Sequence, residues 1–111
     1  MAYPHFIDAF PTLDIPFPED VVEARAIRSD AGLFVFFSFH KDFEIPEHSH
    51  KAQWGTLVAG EIEMTIDGET RTFGPGDSWD LPSGVPHSAR IKAGTVAVDV
   101  FEEADRYPIK P

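Results

Sequence analysis

The chain has 111 residues, no cysteine and a formal net charge of -10 at pH 7. This length allows one domain with a single core, and the lack of cysteine excludes disulfides, zinc–thiolate sites and cysteine nucleophiles. An acidic chain repels a phosphate backbone, so we expect a small-molecule ligand and no nucleic acid partner.

Residues 1–20 are predicted to form an extended N-terminal arm ahead of one domain at residues 21–111. Prolines in this segment prevent a long helix, while phenylalanines provide apolar anchors. We expect the arm to cover a sheet edge or a neighbouring subunit, and we predict a homodimer. The segment lacks the features of a signal peptide, and no apolar run reaches membrane-spanning length. A cytoplasmic protein without membrane contact is therefore expected.

Short runs of β-branched and aromatic residues, separated by Gly and Pro turns, predict an all-β sandwich or barrel of six to ten strands. Asp67-Gly68 is a strong two-residue hairpin signal, and a last hairpin is predicted around Ala93-Gly94. Strands are predicted at Val21–Arg28, Leu33–Phe39, Gln53–Val58, Glu61–Ile66, Glu69–Phe73, Ser78–Leu81, His87–Lys92 and Thr95–Phe101.

Two histidines, His48 and His50, lie just before the strand that begins at Gln53. Side chains two residues apart on an extended strand share one face, so both imidazoles would reach one ion. His87 lies far along the chain and joins them only if the sheet closes on itself. The expected cofactor is one divalent transition metal ion: zinc, nickel, iron, manganese or copper.

Two stretches resemble the paired signatures of the cupin superfamily. The second follows the spacing G-x5-P-x-G-x2-H from Gly76 to His87, and the first extends from His48-x-His50 to Gly60. The resemblance implies an all-β jelly-roll barrel, also described as a double-stranded β-helix. It also implies four metal ligands near the barrel mouth, namely His48, His50, Gln53 and His87.

Three positions depart from the family pattern. Asp42 replaces a leading glycine, Ile91 replaces a final asparagine, and Gln53 replaces the usual glutamate, one residue closer to His50. An amide ligand has no negative charge, so the ion would polarise a bound carbonyl or carboxylate more strongly. The amide is equally able to donate a hydrogen bond beside the metal. Trp54 is excluded as a ligand because indole does not bind a metal.

Candidate substrate and catalytic residues follow the metal ligands. Alternation in the last strand places Asp99 and Phe101 on one face, and leaves open whether that face or the valine face is the core. An inward Asp99 would act as general base, with Phe101 as a wall and Arg106 as a carboxylate clamp. Gly55 would leave room for a substrate beside the ion, next to Trp54.

The set of candidate residues resembles one branch of the superfamily, the KdgF-like uronate-processing cupins, although the interval from Asp99 to Arg106 is one residue longer. This resemblance implies an enzyme that converts a small anionic compound, such as a sugar acid or keto acid, by metal-assisted proton transfer. Two alternatives stay open: a non-catalytic sensor of a small ligand or metal, and an iron-dependent dioxygenase.

Overall fold

Nine strands in two antiparallel sheets pack face to face, and the only helix among residues 3–111, which the computed structural model describes, is a short 3-10 turn at His5–Ala9. Met1 and Ala2, the first residues of the predicted arm, lie outside the described residues. The strands are β1 (Val22–Ser29), β2 (Gly32–Phe39), β3 (Phe43–His48), β4 (Gln53–Ala59), β5 (Ile62–Ile66), β6 (Glu69–Phe73), β7 (Ser78–Leu81), β8 (His87–Ile91) and β9 (Val96–Phe101).

One sheet has the order β1-β2-β9-β4-β7 and the other has the order β3-β8-β5-β6. This is a jelly-roll sandwich, so the predicted fold class is confirmed. The hairpin turn of β5 and β6 is also confirmed, because Asp67 and Gly68 have φ angles of 49° and 82°. Positive φ at both central residues is the requirement of a type I′ turn.

The predicted last hairpin around Ala93-Gly94 is wrong. β8 pairs with β3 and β5, whereas β9 pairs with β2 and β4, in the other sheet. The Lys92 N–H donates to Glu61 O (3.1 Å) and the Gly94 N–H to Phe39 O (2.8 Å). The turn therefore satisfies its backbone groups on both sheets and carries the chain across the sandwich.

Period-two alternation in β2 fills the space between the sheets. The inward side chains of this strand are at most 6% exposed, and they are Leu33, Val35, Phe37 and Phe39. Across the sandwich, β5 and β8 contribute Ile62, Met64 and Ile91. The same inward faces surround the cavity described below.

The predicted arm spans the gap between an edge of each sheet. Thr12 forms an isolated bridge with Arg25 on β1, and the Phe17 ring packs edge-on against Phe43 of β3, 4.9 Å away. Leu13 is buried in the core cluster. Division of the chain at residue 20 stays a prediction. No helix of residues 3–111 is long and apolar enough to cross a membrane, and the cytoplasmic location also stays a prediction.

Candidate metal centre

Three histidines from two distant parts of the chain meet at one end of the sandwich. His48, the last residue of β3, is the cross-strand partner of His87, the first residue of β8. His50 follows two residues later, and its backbone carbonyl accepts a hydrogen bond from Gly84 N–H (2.8 Å). The candidate ligand nitrogens of the three rings lie within 4.8 Å of one another. Because metal–imidazole bonds are about 2.1 Å long, small ring rotations bring all three onto one ion.

Each imidazole is oriented by a backbone carbonyl. Nδ1 of His48 lies 2.9 Å from Pro46 O, Nδ1 of His50 2.6 Å from Lys51 O, and Nδ1 of His87 3.0 Å from Val85 O. An Nδ1 that donates to a carbonyl carries the ring proton, so Nε2 keeps its lone pair for a metal.

The ionisation of the rings is consistent with a metal site. Burial lowers the pKa of His50 and His87, and the positive charge of Arg106 acts in the same direction. Both rings are therefore neutral at neutral pH, which is the form that binds a metal. The orientation and spacing of the three rings fit a divalent transition metal ion.

Asp99 points into the sandwich, which settles the open question about β9. It is 5% exposed, and its Oδ1 accepts hydrogen bonds from Gln53 Nε2 and Trp79 Nε1, both 2.8 Å long. Burial raises the pKa of Asp99 to about 6, although the two hydrogen bonds act to lower it. Since Gln53 turns its amide nitrogen to Asp99, its Oε1 is the atom available to a metal.

Two predicted substrate contacts differ from the structure. Trp54 is 45% exposed on the outer face of β4 and does not line the cavity, because it alternates with the inward Gln53 and Gly55. Gly55 leaves no room for a substrate: a Cβ built on it would lie 2.2 Å from both Asp99 Oδ1 and Trp79 Nε1. The missing side chain instead allows the hydrogen bond between Trp79 and Asp99.

Arg106 and Phe101 lie at the same end of the site as the histidines. The Phe101 ring lies 5.8 Å from the His50 ring, and Tyr107 packs against Phe101. The Arg106 guanidinium lies over the Tyr107 ring, and its Nε is buried without a hydrogen-bond partner among the described residues. A half-buried guanidinium group whose Nε has no acceptor is a candidate site for an anion.

One cavity of about 280 Å³ between the sheets is lined by the three histidines, Gln53, Asp99, Phe101, Arg106 and Tyr107, among others. The three histidines, Gln53, Asp99 and Arg106 lie at one end. Aromatic and aliphatic side chains form the rest of the wall, including Phe17 from the predicted arm.

A model of the cupin domain family matches residues 35–101, which include both histidine motifs. The chain is a cupin. A crystal structure of an RmlC-like cupin from Shewanella frigidimarina superposes with a TM-score of 0.75 at 25% identity, covering 89% of this chain and 88% of that one. KdgF from Halomonas sp. also superposes with a TM-score of 0.75, covering 88% of this cupin and 93% of that chain. Because the two chains are only 23% identical, this similarity shows the fold alone.

One curated relative is a quercetin 2,3-dioxygenase from Bacillus subtilis (strain 168). It is 40% identical over 70 residues, which are 60% of this cupin but only 21% of that protein. This cupin therefore spans about a fifth of the length of that relative.

Some residues of the site were not predicted from the sequence. Trp79 is inward because it shares a face with buried Leu81 and alternates with exposed Ser78 and Asp80, a signal present in β7. Glu103 Oε1 accepts from Lys51 N–H (2.9 Å) and Glu102 Oε1 from Ala52 N–H (3.1 Å), so the end of β9 holds the segment that carries His50. These contacts join residues about fifty positions apart, and no local pattern indicates them.

Proposed function

We propose that this cupin is a metal-dependent enzyme that acts on a small anionic oxygenated compound, a sugar acid or keto acid, by metal-assisted proton transfer. The observation that supports this most is the placement of three oriented imidazoles, a buried carboxyl group and a guanidinium group with an unpaired Nε around one cavity. Structural residues rarely combine in this way, because buried polar groups are normally satisfied within the protein.

Each residue has a distinct role in this proposal. His48, His50 and His87, with Gln53 Oε1, would hold a divalent ion, which when bound polarises carbonyl or carboxylate oxygens of the substrate. Arg106 would bind the carboxylate group in a fork of two hydrogen bonds.

Asp99 would move the proton. Its Oδ1 already accepts two hydrogen bonds, so Oδ2 is the oxygen that takes or returns a substrate proton. A pKa of about 6 suits a general base at neutral pH, because the group is ionised there and still binds a proton readily.

Two variants test the proposal. His50→Ala should lose bound metal and turnover together, measured by elemental analysis and by activity on a panel of sugar acids and keto acids. Asp99→Asn should keep the metal but lower the rate by about 10²- to 10⁴-fold, the usual contribution of a general base. Retention of stoichiometric metal by His50→Ala would contradict the proposed site. A rate unaffected by Asp99→Asn would contradict the role of this carboxyl group, and ligand binding without turnover would indicate a sensor.

Dioxygen chemistry is the second candidate function, and the similarity to a quercetin 2,3-dioxygenase favours it. Three imidazoles also suit ferrous iron. Oxygen uptake by the iron-loaded protein with the same panel of compounds distinguishes the two candidates, because proton transfer consumes no oxygen.

We further propose that two copies of this cupin associate through the outer face of the five-stranded sheet. Ile27, Phe34, Val100 and Trp54 form a row across four neighbouring strands. Ile27 and Trp54 are 49% and 45% exposed. The row itself has no charged side chain, and exposed Asp80 of β7, the partner of Trp54, lies at its margin. Two such faces can therefore pack over the apolar row with this acidic group at the edge of the contact.

Sedimentation velocity tests this association. The wild type should sediment as a dimer of 12.4 kDa chains, and Trp54→Glu should sediment as a monomer with unchanged metal content. Thr70→Glu, on the outer face of the other sheet, is the matched control and should stay dimeric. A monomeric wild type at micromolar concentration would refute the proposed dimer.

A further inference from the structure

The two ends of the cavity differ in chemistry, and strand register shows how far apart they are. His87 pairs with His48 at the polar end, and the next inward positions on the same strands are Ala89 and Ile45. Ile91 follows, four residues beyond His87, which is about 13 Å along a strand. The cavity therefore continues well past the proposed metal site.

The end beyond Ala89 is apolar. Ser88 also borders the cavity. It alternates with His87 and Ala89, so its side chain lies with Thr65 on the outer face of the sheet. Among the described residues, no side chain at this end offers a hydrogen bond to a ligand. The lining consists of Phe17, Phe37, Phe39, Ile62, Met64 and Ile91.

We infer that the substrate of the proposed enzyme is a carboxylate with an apolar body, such as an aryl- or branched-alkyl-substituted acid, rather than a polyhydroxylated sugar acid. This inference rests on the proposed function, which assigns the carboxylate to Arg106 and the metal. The apolar body then extends past Ala89 toward Ile91.

Size supports this assignment. A dry cavity of about 150 Å³ lined by Leu, Ile and Phe holds a benzene molecule, and the cavity of this cupin measures about 280 Å³. The remaining volume accommodates an acid of two or three carbons attached to the ring. Burial of a phenyl-sized group should tighten binding by roughly 10- to 150-fold.

Hydrogen-bonding capacity argues against a sugar acid in the same position. The hydroxyl groups of a sugar acid would lie beside Phe37, Ile62 and Met64, whose side chains provide no donor or acceptor. Each buried hydroxyl without a partner weakens binding by about 5- to 150-fold.

Calorimetry with the zinc-loaded protein tests the inference with three carboxylate probes: 3-phenylpropionate, propionate and glucuronate. We expect 3-phenylpropionate to bind at least 10-fold more tightly than propionate, and glucuronate to bind no more tightly than propionate. Equal or tighter binding of glucuronate relative to 3-phenylpropionate would overturn the inference and leave the metal-dependent enzyme proposal standing. Failure of all three probes to bind would overturn both proposals.

A substitution in the wall locates the bound phenyl group. Ala89→Leu fills the middle of the cavity and should weaken 3-phenylpropionate binding at least 10-fold, while zinc content and propionate affinity stay unchanged. The matched control is Ala93→Leu in the exposed turn after β8, which should change none of these values. Ile45→Thr is a second variant, at a half-buried position of an edge strand, and it should also weaken 3-phenylpropionate binding.

If the apolar end of the cavity were only an unfilled space in the core and not a binding site, the result would differ. In that case Ala89→Leu would raise the free energy of unfolding by filling a void, and the affinity for 3-phenylpropionate would equal that of the wild type. That combination would overturn the inference, because the ligand would then not occupy the space beyond Ala89.

Discussion

The free energy of unfolding of metal-free Asp99→Asn, minus that of the metal-free wild type, should be higher at neutral pH than at acidic pH. Burial raises the pKa of Asp99 from 3.8 to about 6. Between these values the native state binds more protons than the unfolded state, so wild-type stability falls as the pH rises through this window. Asparagine keeps Oδ1 as the acceptor for Trp79 and Gln53 but has no charge to bury.

The magnitude follows from the size of the shift. A rise of about two pKa units corresponds to about 3 kcal/mol of stability lost when the carboxyl group is fully ionised, at about 1.4 kcal/mol per unit. Part of this pH-dependent loss of stability falls below pH 4, because the carboxyl group of the unfolded chain titrates near pH 3.8. The free energy of unfolding of Asp99→Asn minus that of the wild type should therefore rise by about 2 kcal/mol between pH 4 and 7.

Urea unfolding of chelator-treated protein, followed by tryptophan fluorescence at pH 4, 5, 6, 7 and 8, measures this difference. A chelator is required because a cation beside Asp99 favours its charged form. Exposed Asp80, on the outer face of β7, provides a matched control in Asp80→Asn. A difference for Asp99→Asn that is constant with pH, or that falls toward neutral pH, would refute the account of this buried carboxyl group.

Three further results are expected. Gly55→Ala should lower the free energy of unfolding by about 1–3 kcal/mol, because the added Cβ overlaps Asp99 and Trp79. Gly74→Ala is the control in the same urea assay and should lower it less, because a Cβ at Gly74 has space. Trp79→Phe removes a donor from a buried carboxyl group and should destabilise the protein by about 1–3 kcal/mol, with the larger loss above pH 6, where the group is charged. Chelation should lower the melting temperature of the metal-loaded wild type but not that of His50→Ala, measured by calorimetry.

Local patterns in the sequence predict those features that depend on neighbouring residues. Alternation from Leu33 to Phe39 identifies a core strand because its period matches the pleat, and Asp67-Gly68 identifies a hairpin because both residues tolerate positive φ. The histidine motifs predict a shared site only through the family resemblance, since nothing local brings His87 back to His48.

Features that depend on pairing between distant residues are not visible in the sequence. The turn at Ala93-Gly94 has hairpin composition but crosses between the sheets, because β8 pairs with β3 and β5 whereas β9 pairs with β2 and β4. The alternation of β9 is equally compatible with two orientations, and only the partners of Asp99 decide between them. The contribution of Phe17 to the cavity wall depends on contacts of the arm with both sheet edges.

The apolar wall and the polar end of the cavity are physically linked. The same exclusion of water that suits an apolar substrate body also raises the pKa of Asp99 and lowers that of His50 and His87, because burial is the first cause of all three shifts. A polar residue in the wall, as in Met64→Gln, should admit water to the cavity that Asp99 also lines and move the pKa of Asp99 back toward 3.8. Ligand preference and proton transfer should therefore change together when the wall is altered, because both groups of residues line the same cavity.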